Sequence, residues 1–320
     1  MTRRTLFHAA LTLSTILALR GGAQAQNQPT DPDFKLQGEY AGEVAGKDGP
    51  RKLGVQVIAL GKGKFHAVGY AGGLPGDGWD KSEKKECDCE LKDGAVVFQQ
   101  GGRSGTLKDG VITIHSGARK LGGIKNVERK SPTLGAKPPA GAVVLFDGST
   151  PDKFDGGKVD RDLLVQGATS KLKFQGCTLH VEFRLPFMPE ARGQGRGNSG
   201  CYLQGRYEVQ VLDSFGLKGE NNECGGIYSI KAPDVNMCFP PLAWQTYDID
   251  YTPAVFENGK KTKNALVTVK HNGVTIHENV ELTHATTAAP VAEGPEPGSV
   301  YFQDHGNPVR YRNIWLVEKK

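Results

Sequence analysis

Hydrophobic and polar residues alternate along many short segments of this chain, and glycine-containing turns separate the segments. A period of two places neighbouring side chains on opposite faces, which is typical of β-strands with one buried face. Asp93–Gly94 and Asp109–Gly110 lie between such runs, and Asp-Gly favours tight hairpins. The pattern predicts a small antiparallel sheet or barrel from Gly38 to about Lys130, with strands at Lys52–Leu60, Lys64–Tyr70, Ala95–Gln100 and Val111–His115.

A second series of strands follows a segment, Ser131–Gly141, with the proline and glycine content of an extended linker. The run Ala142–Gly148 opens this series as a buried strand that ends in a turn. The other predicted strands are Lys171–Phe174, Cys177–Leu185, Gly200–Leu203, Tyr207–Leu212, Gly226–Ile230, Thr246–Tyr251, Ala265–His271, Val274–Val280, Val300–Asp304 and Tyr311–Val317. About ten strands in roughly 180 residues predict a two-sheet jelly roll. We therefore expect an all-β chain with an accessory β domain at 26–130, a linker at 131–141 and a jelly roll at 142–320.

The first 25 residues have the features of a secretion signal. Arg3 and Arg4 precede an apolar run from Leu6 to Leu19, and Ala23–Ala25 has the small-x-small pattern of a cleavage site. The run is too short to span a bilayer, and no later segment approaches the roughly 20 apolar residues that a span needs. We expect export across a bacterial inner membrane, to the periplasm or the medium.

The charge of the mature chain is nearly balanced. Residues 1–25 contain three arginines and no acid, so their removal lowers the formal charge from +5 to +2. The remaining basic residues are interspersed with acids, which indicates neither a nucleic-acid partner nor an anionic membrane surface. The 43 glycines and 18 prolines, with few helix-like apolar periods, also favour an all-β fold with many turns.

Candidate chemistry lies on one face of the predicted strand Tyr207–Leu212. Glu208 and Gln210 share a face, whereas the opposite face is apolar. Such alternation is also normal for the solvated face of an antiparallel sheet. The segment Tyr301–His305 repeats the pattern, with an aromatic ring, an amide and an imidazole on one side. If the two strands are neighbours, their polar faces form one groove.

Six cysteines fit an exported protein in an oxidising compartment. Cys224 and Cys238 bracket a loop, and closing it would restrict the unfolded chain by about 3 kcal/mol in the entropy model. We predict a disulfide between them and a second one between Cys177 and Cys201. Cys87 and Cys89 are separated by one residue, so a bond between them would be strained. No cysteine or histidine pair has a zinc-type spacing.

Seven motifs follow one another in the second region: Leu145–Phe146–Asp147–Gly148, Asn198–Ser199–Gly200, Tyr207–Glu208–Val209–Gln210 with Asp213, Gly226–Ile227–Tyr228, Trp244–Gln245–Thr246–Tyr247, His271–Asn272–Gly273, and Gln303–Asp304–His305–Gly306 with Arg312–Asn313–Ile314. In order and spacing they resemble the 3-keto-disaccharide hydrolase domain family over about residues 142–320. The resemblance implies a concanavalin A-like lectin/glucanase jelly roll, carried by secreted bacterial proteins that act on oxidised sugars.

A 3-keto sugar, the substrate that the resemblance implies, defines the groups that a site would need. The ketone acidifies the proton on carbon 2, so a base can remove it and expel the aglycone from carbon 1 by β-elimination. Glu208 is the first candidate for the base. His305 is the second, or else the acid for the leaving oxygen. Candidates for substrate binding are the amides Asn198, Gln210 and Gln303, the cation Arg312, and the aromatic residues Tyr228 and Trp244.

A divalent metal is a further possibility, because Glu208 and His305 could bind one and a metal stabilises an enolate. The sequence spacing does not decide whether they do. A separate sugar 3-oxidoreductase is the expected partner, since the keto group has to be introduced before this chain acts.

Two other functions fit the same residues. Glu208, Gln210 and Asp213 have the i, i+2, i+5 spacing of jelly-roll glucanases, with an amide in the middle place. A retaining glycosidase needs two carboxyls about 5 Å apart, which requires a bulge that turns Asp213 inward. The second alternative is a non-catalytic glycan-binding module, because lectins share the fold.

Overall fold

The computed structural model describes residues 29–319 of the 320-residue chain. Within this range the structure is β-strands and turns, with two short 3₁₀ turns at Pro32–Lys35 and Gly193–Gly195 and no α-helix. The prediction of an all-β chain is confirmed. The predicted signal peptide at residues 1–25 lies outside the described residues. Between residues 29 and 319 there is no helix with the length and apolarity that a membrane crossing requires.

The first eight strands form a closed antiparallel barrel, because the first strand pairs with both the second and the eighth. Asp93–Gly94 and Asp109–Gly110 each have two successive positive φ angles, the geometry of a type I′ hairpin. Phe65, Val96 and Leu107 are fully buried inside the barrel. The strands are β1 (Gly38–Ala45), β2 (Pro50–Gly61), β3 (Lys64–Ala71), β4 (Lys85–Lys92), β5 (Ala95–Gln100), β6 (Arg103–Lys108), β7 (Val111–Ser116) and β8 (Arg119–Val127).

The second region is a sandwich of two antiparallel sheets. Its strands are β9 (Val143–Phe146), β10 (Phe154–Asp155), β11 (Val159–Asp160), β12 (Leu163–Val165), β13 (Ala168–Phe174), β14 (Cys177–Arg184), β15 (Ser199–Leu203), β16 (Tyr207–Val211), β17 (Trp244–Thr252), β18 (Val255–Glu257), β19 (Lys260–Lys263), β20 (Ala265–His271), β21 (Val274–Leu282), β22 (Gly298–Phe302) and β23 (Arg310–Glu318). The smaller sheet has the order β10-β13-β22-β15-β16. The larger sheet has the order β11-β12-β23-β14-β17-β20-β21, with β9 paired to β23. Strands β18 and β19 form a separate hairpin.

Each sheet buries one face against the other. The smaller sheet contributes Cys201, Val209 and Phe302 to the shared core, and the larger sheet contributes Val181, Phe183 and Ile249. Because side chains alternate along a strand, Glu208 lies on the outer face of the smaller sheet and Glu182 on the outer face of the larger sheet. The two outer faces are on opposite sides of the sandwich.

The linker packs against the outer face of the larger sheet. The Ser131 hydroxyl lies 2.6 Å from that of Thr246, and the Thr133 hydroxyl donates to Asp248 at 2.6 Å. The backbone N–H of Gly135 donates to Glu182 Oε1 at 2.5 Å. The segment has the irregular backbone expected from its composition, but its polar groups bind the jelly roll.

The barrel packs against the jelly roll through the end of β2. Ile58 belongs to the same apolar cluster as the core of the sandwich. The guanidinium of Arg196 donates to the Ala59 carbonyl at 3.3 Å, and that of Arg192 donates to the Leu60 carbonyl at 3.0 Å. These bonds attach the jelly-roll loop before β15 to the barrel.

All six cysteines are free thiols. The predicted Cys224–Cys238 disulfide is not found in this structure, although the two side chains interact in the core. Each thiol has its own polar neighbour, since Cys224 Sγ lies 3.2 Å from the Tyr247 hydroxyl and Cys238 Sγ donates to the Leu212 carbonyl at 3.7 Å. The second predicted bond, Cys177–Cys201, is also absent, and both of these thiols are buried.

Candidate functional site

Glu208 lies on the outer face of the smaller sheet, next to β15. A tight hairpin joins β15 to β16, and its residues Gln204 and Gly205 both have positive φ angles. This turn pairs Leu203 with Tyr207, so Tyr202 stands directly opposite Glu208. The Tyr202 hydroxyl donates to Glu208 Oε2 at 2.8 Å.

The carboxyl of Glu208 is in an environment that favours its protonated form. The residue is 2% exposed, and Oε1 has no hydrogen-bond partner among residues 29–319. Burial raises the pKa of Glu208 to about 7, although the hydrogen bond from Tyr202 opposes the rise. A carboxyl that titrates near neutral pH is suited to proton transfer.

Gly200 provides the space in which this carboxyl lies. A Cβ atom at position 200 would stand 2.0 Å from Glu208 Oε1, so no other residue type fits there without moving the carboxyl. Gly200 pairs with Gln210 on the neighbouring strand, which places it on the same face. The Asn198–Ser199–Gly200 motif therefore shapes the site through its glycine.

The structure brings the two polar segments of the sequence side by side. Strands β22 and β15 are neighbours, and Tyr301 pairs with Tyr202. The Gln303 side chain donates to the Tyr202 hydroxyl at 3.2 Å, and its Oε1 has no partner among residues 29–319. Tyr228 is half-buried beside Glu208, and its backbone N–H donates to the Glu208 carbonyl at 3.1 Å. Glu208, Gln303, Tyr202, Tyr301 and Tyr228 thus form one cluster.

Gln210 and Asn198 extend the same face through Gln194. The Gln210 amide donates to Gln194 Oε1 at 3.1 Å, and the Asn198 amide donates to the Gln194 carbonyl at 2.8 Å. Asn198 Oδ1 is buried and has no partner within residues 29–319. Gln194 belongs to the loop that Arg192 and Arg196 attach to the barrel. The barrel therefore helps to hold one wall of the site.

Neither His305 nor Asp213 has a hydrogen bond to Glu208 in this structure. His305 is exposed on the loop after β22, two residues beyond Gln303. Asp213 is buried and accepts from Arg196 Nε at 2.5 Å, next to the barrel. A strand bulge that turns Asp213 towards Glu208, as a glucanase would require, is not found.

Trp244 and Arg312 lie on the opposite side of the sandwich from Glu208, which corrects the prediction that they bind the same substrate. Both belong to the larger sheet, and Arg312 Nε donates to Glu182 Oε2 at 2.7 Å. The Arg312 guanidinium stands 3.9 Å from the centre of the Trp244 ring. Period-two alternation identifies the face of a strand but not the sheet that the strand joins, and this is why the prediction failed.

The side chains around Glu208 do not include the ligand set of a typical metal site. No set of three or more His, Cys, Asp or Glu side chains within residues 29–319 is arranged to hold a metal ion. The neighbours of Glu208 are phenols and amides, which are poor substitutes for the carboxylate and imidazole ligands of divalent metals. The pairing of Glu208 with His305 in a metal centre stays a prediction that the donor set does not support.

Tyr202, Gly200 and Gln194 are site residues that the sequence analysis missed. The signal for Tyr202 was available, because the hairpin at Gln204–Gly205 places the residue before Leu203 opposite Glu208. Gly200 had a weaker signal, as a glycine inside a strand marks a close approach. Gln194 is remote in sequence from the strands, and its contact depends on the loop conformation.

Comparison with known proteins points to one family. The sequence model of the 3-keto-alpha-glucoside-1,2-lyase-like domain matches residues 141–317, which is more than half of the chain. A crystal structure of a "putative glycosyl hydrolase" from Parabacteroides distasonis ATCC 8503 is similar, with 31% identity and a TM-score of 0.53, over 57% of this chain and 85% of that one. A second crystal structure with the same description and organism has 17% identity and a TM-score of 0.43, over 56% of this chain and 94% of that one. No curated protein matches the chain.

Proposed function

The chain belongs to the 3-keto-alpha-glucoside-1,2-lyase-like family of carbohydrate-active proteins, and from that premise we propose that it cleaves 3-keto glycosides with Glu208 as the general base. The observation that carries the proposal is the buried carboxyl of Glu208, whose pKa is raised to about 7 on a face lined by phenols and amides. Export of the chain and supply of the substrate by a sugar 3-oxidoreductase belong to the same proposal.

In the proposed reaction Glu208 takes the proton from carbon 2 of the keto sugar. The electron pair moves towards the carbonyl oxygen on carbon 3 and forms an enolate. The enolate then expels the aglycone, the bond between carbon 1 and the glycosidic oxygen breaks, and that oxygen takes up a proton. A double bond between carbons 1 and 2 remains, and water adds across it to complete a net hydrolysis.

Several side chains of the cluster can assist these steps. The Tyr202 hydroxyl is held between Glu208 and the Gln303 amide, and burial raises its pKa so that it stays a hydrogen-bond donor. Amide and phenol donors aimed at the developing enolate oxygen stabilise its charge. Arg312 cannot supply a positive charge to the enolate, because it lies on the other outer face of the sandwich. His305, on the exposed loop, is the candidate donor for the leaving oxygen.

The glucanase alternative requires a second carboxylate, and Asp213 is engaged by Arg196. The glycan-binding alternative predicts retention of sugar without turnover. One pair of test substrates distinguishes both alternatives from the proposed function. We expect the purified protein to release the chromophore from a chromogenic 3-keto-β-glucoside and not from the unoxidised glucoside. Release from the unoxidised parent would support the glucanase, and binding of both without release would support the lectin-like module. A parallel assay with a chelator tests for a metal.

The pH dependence of kcat/KM gives a second prediction. A base must be ionised in the free enzyme, so activity rises with pH, with a midpoint near 7 rather than near 4.5. The Tyr202→Phe variant loses the hydrogen bond that lowers the pKa of Glu208, so its midpoint moves to higher pH. The measurement is kcat/KM from pH 5 to pH 9 for both proteins.

Tyr301→Phe is the matched control for this experiment. Its ring packs 5.5 Å from that of Tyr202 on the same face, and no hydrogen bond joins its hydroxyl to Glu208. The Tyr301 variant should keep the wild-type midpoint. Equal midpoints in the wild type and Tyr202→Phe would show that a group other than Glu208 controls the rate.

A further inference from the structure

A cleft of about 570 Å³ lies where the barrel, the linker and the jelly roll meet. The barrel lines it with residues at the start of β1 and the end of β8, and the jelly roll lines it with Arg184, Trp244 and the turn before β17. The volume is within the range of small-molecule sites in proteins. Arg184 and Trp244 belong to the larger sheet, so the cleft is separate from the cluster around Glu208.

Gln37 is a buried polar side chain that the rest of the chain leaves without a partner. It is 6% exposed and lines the cleft, and neither atom of its amide has a hydrogen bond to any of residues 29–319. Buried polar side chains are almost always hydrogen-bonded, so this amide is expected to bind a partner that residues 29–319 do not supply. Its two atoms offer one acceptor and two donors to such a partner.

Arg184 is a half-buried cation without an acidic partner in the cleft. No hydrogen bond or ion pair within residues 29–319 involves its guanidinium, which stands 5.1 Å from the centre of the Trp244 ring. Burial and the neighbouring charges of Arg312 and Arg310 lower the pKa of Arg184 to about 10. Those two neighbours have acids of their own, Glu182 and Asp160.

The other charges that line the cleft add to its positive potential. Arg129 and Glu39 neutralise each other in a buried ion pair. Lys35 and Lys130 line the cleft without an ion pair to any residue within the described range, and Glu128 is the only such acid. The cleft therefore attracts an anion.

We propose that this cleft binds an acidic sugar, whose anionic group pairs with Arg184 and whose hydroxyl groups bind the Gln37 amide. Arg184 is the anchor because a guanidinium binds a carboxylate or sulfate through two parallel hydrogen bonds. Trp244 holds this guanidinium in place through a cation–π contact. This site is distinct from the site of 3-keto cleavage, and the proposal depends only on the protein being carbohydrate-active. It would let the enzyme attach to an acidic polymer while the site at Glu208 acts.

Calorimetric titration of the whole mature protein tests the proposal with three probes: trigalacturonate, its methyl ester, and a sulfated galactose oligosaccharide. We expect trigalacturonate to bind and its uncharged ester not to bind. Arg184→Ala should weaken binding at least about tenfold, because it removes a charge-assisted pair. Adding Gln37→Ala to this variant should weaken binding further. Preference for the sulfated probe would identify a sulfate ester as the anionic group.

Arg161→Ala is the matched control, because Arg161 is a nearby exposed arginine outside the cleft. It should bind trigalacturonate within about twofold of the wild type, as expected for an exposed charge. Arg184→Gln serves as a second variant if Arg184→Ala unfolds at a lower temperature. Cleavage of the keto glycoside should be unchanged in the Arg184 variants. A failure of this proposal can therefore be distinguished from a failure of the proposed function. Equal binding of the ester, or equal binding by wild type and Arg184→Gln, would overturn the proposal.

Discussion

Replacement of Glu208 by glutamine is expected to lower kcat for a 3-keto glycoside by about 10³-fold, since general base catalysis contributes roughly 10² to 10⁴. The glutamine has nearly the same shape and cannot accept the proton from carbon 2. The protein should stay folded, because the glutamine oxygen can still accept from the Tyr202 hydroxyl and Glu208 Oε1 has no hydrogen bond within residues 29–319 to lose. A neutral amide also costs less to bury than the ionised carboxylate. The measurement is kcat with the chromogenic 3-keto-β-glucoside, beside the Tm of the same preparations.

Glu182→Gln is the control for this variant, because Glu182 is an equally buried carboxyl on the opposite outer face of the sandwich. It should keep kcat within about threefold of the wild type, since Glu182 lies outside the cluster around Glu208. If Glu208→Gln kept kcat within tenfold of the wild type at an unchanged Tm, Glu208 would not be the base. His305 would then be the next residue to test.

The same Glu182→Gln substitution is expected to lower the free energy of unfolding by about 3 kcal/mol at pH 7. This is the largest stability effect expected among the substitutions proposed for this protein. The Glu182 carboxylate accepts from the Arg312 guanidinium, the Asn313 amide at 2.9 Å and the Gly135 backbone N–H. An amide in its place leaves the positive charge of Arg312 without a counter-ion, and one hydrogen bond to the linker is weakened. The measurement is urea unfolding followed by tryptophan fluorescence, because Trp244 and Trp315 lie on this face.

The pH dependence of the stability lost in Glu182→Gln tests whether that loss is electrostatic. Burial opposes the ionisation of Glu182, but the nearby His180 and the hydrogen bonds from Asn313, Gly135 and Arg312 outweigh it and lower its pKa from 4.5 to about 2. A carboxyl with a lowered pKa stabilises the folded state above its unfolded pKa, and this contribution disappears as the pH falls from about 4.5 towards 2. The stability difference between wild type and Glu182→Gln should therefore shrink in that window. A difference that stayed constant down to pH 2 would indicate a packing effect instead.

Glu318→Gln is the reference substitution for this series. Glu318 is exposed at the end of β23, the strand that also carries Arg312. Its replacement should change the free energy of unfolding by less than about 0.5 kcal/mol at any pH, because surface charges contribute little.

The local elements of this protein were determined by its sequence alone. Alternating residues and Asp-Gly turns are local signals, so they identified the all-β class, the hairpins of the barrel and the shared face of Glu208 and Gln210. The hairpin at Gln204–Gly205 even contained the register that pairs Tyr202 with Glu208. The motifs of the second region also identified the family, since their order along the chain does not depend on how the strands are arranged in space.

The tertiary structure alone decided which of these faces come together. Whether β17 and β23 join the sheet of Glu208 or the opposite sheet depends on long-range pairing, and this placed Trp244 and Arg312 on the far side of the sandwich. The raised pKa of Glu208 is likewise a property of its surroundings, because the tertiary structure buries a carboxyl that the strand pattern alone places on an outer face. Cys224 and Cys238, for which the sequence predicted a disulfide, are free thiols in the core, and each has a polar neighbour of its own. In each case the local pattern specifies which way a side chain points, whereas packing determines what it meets.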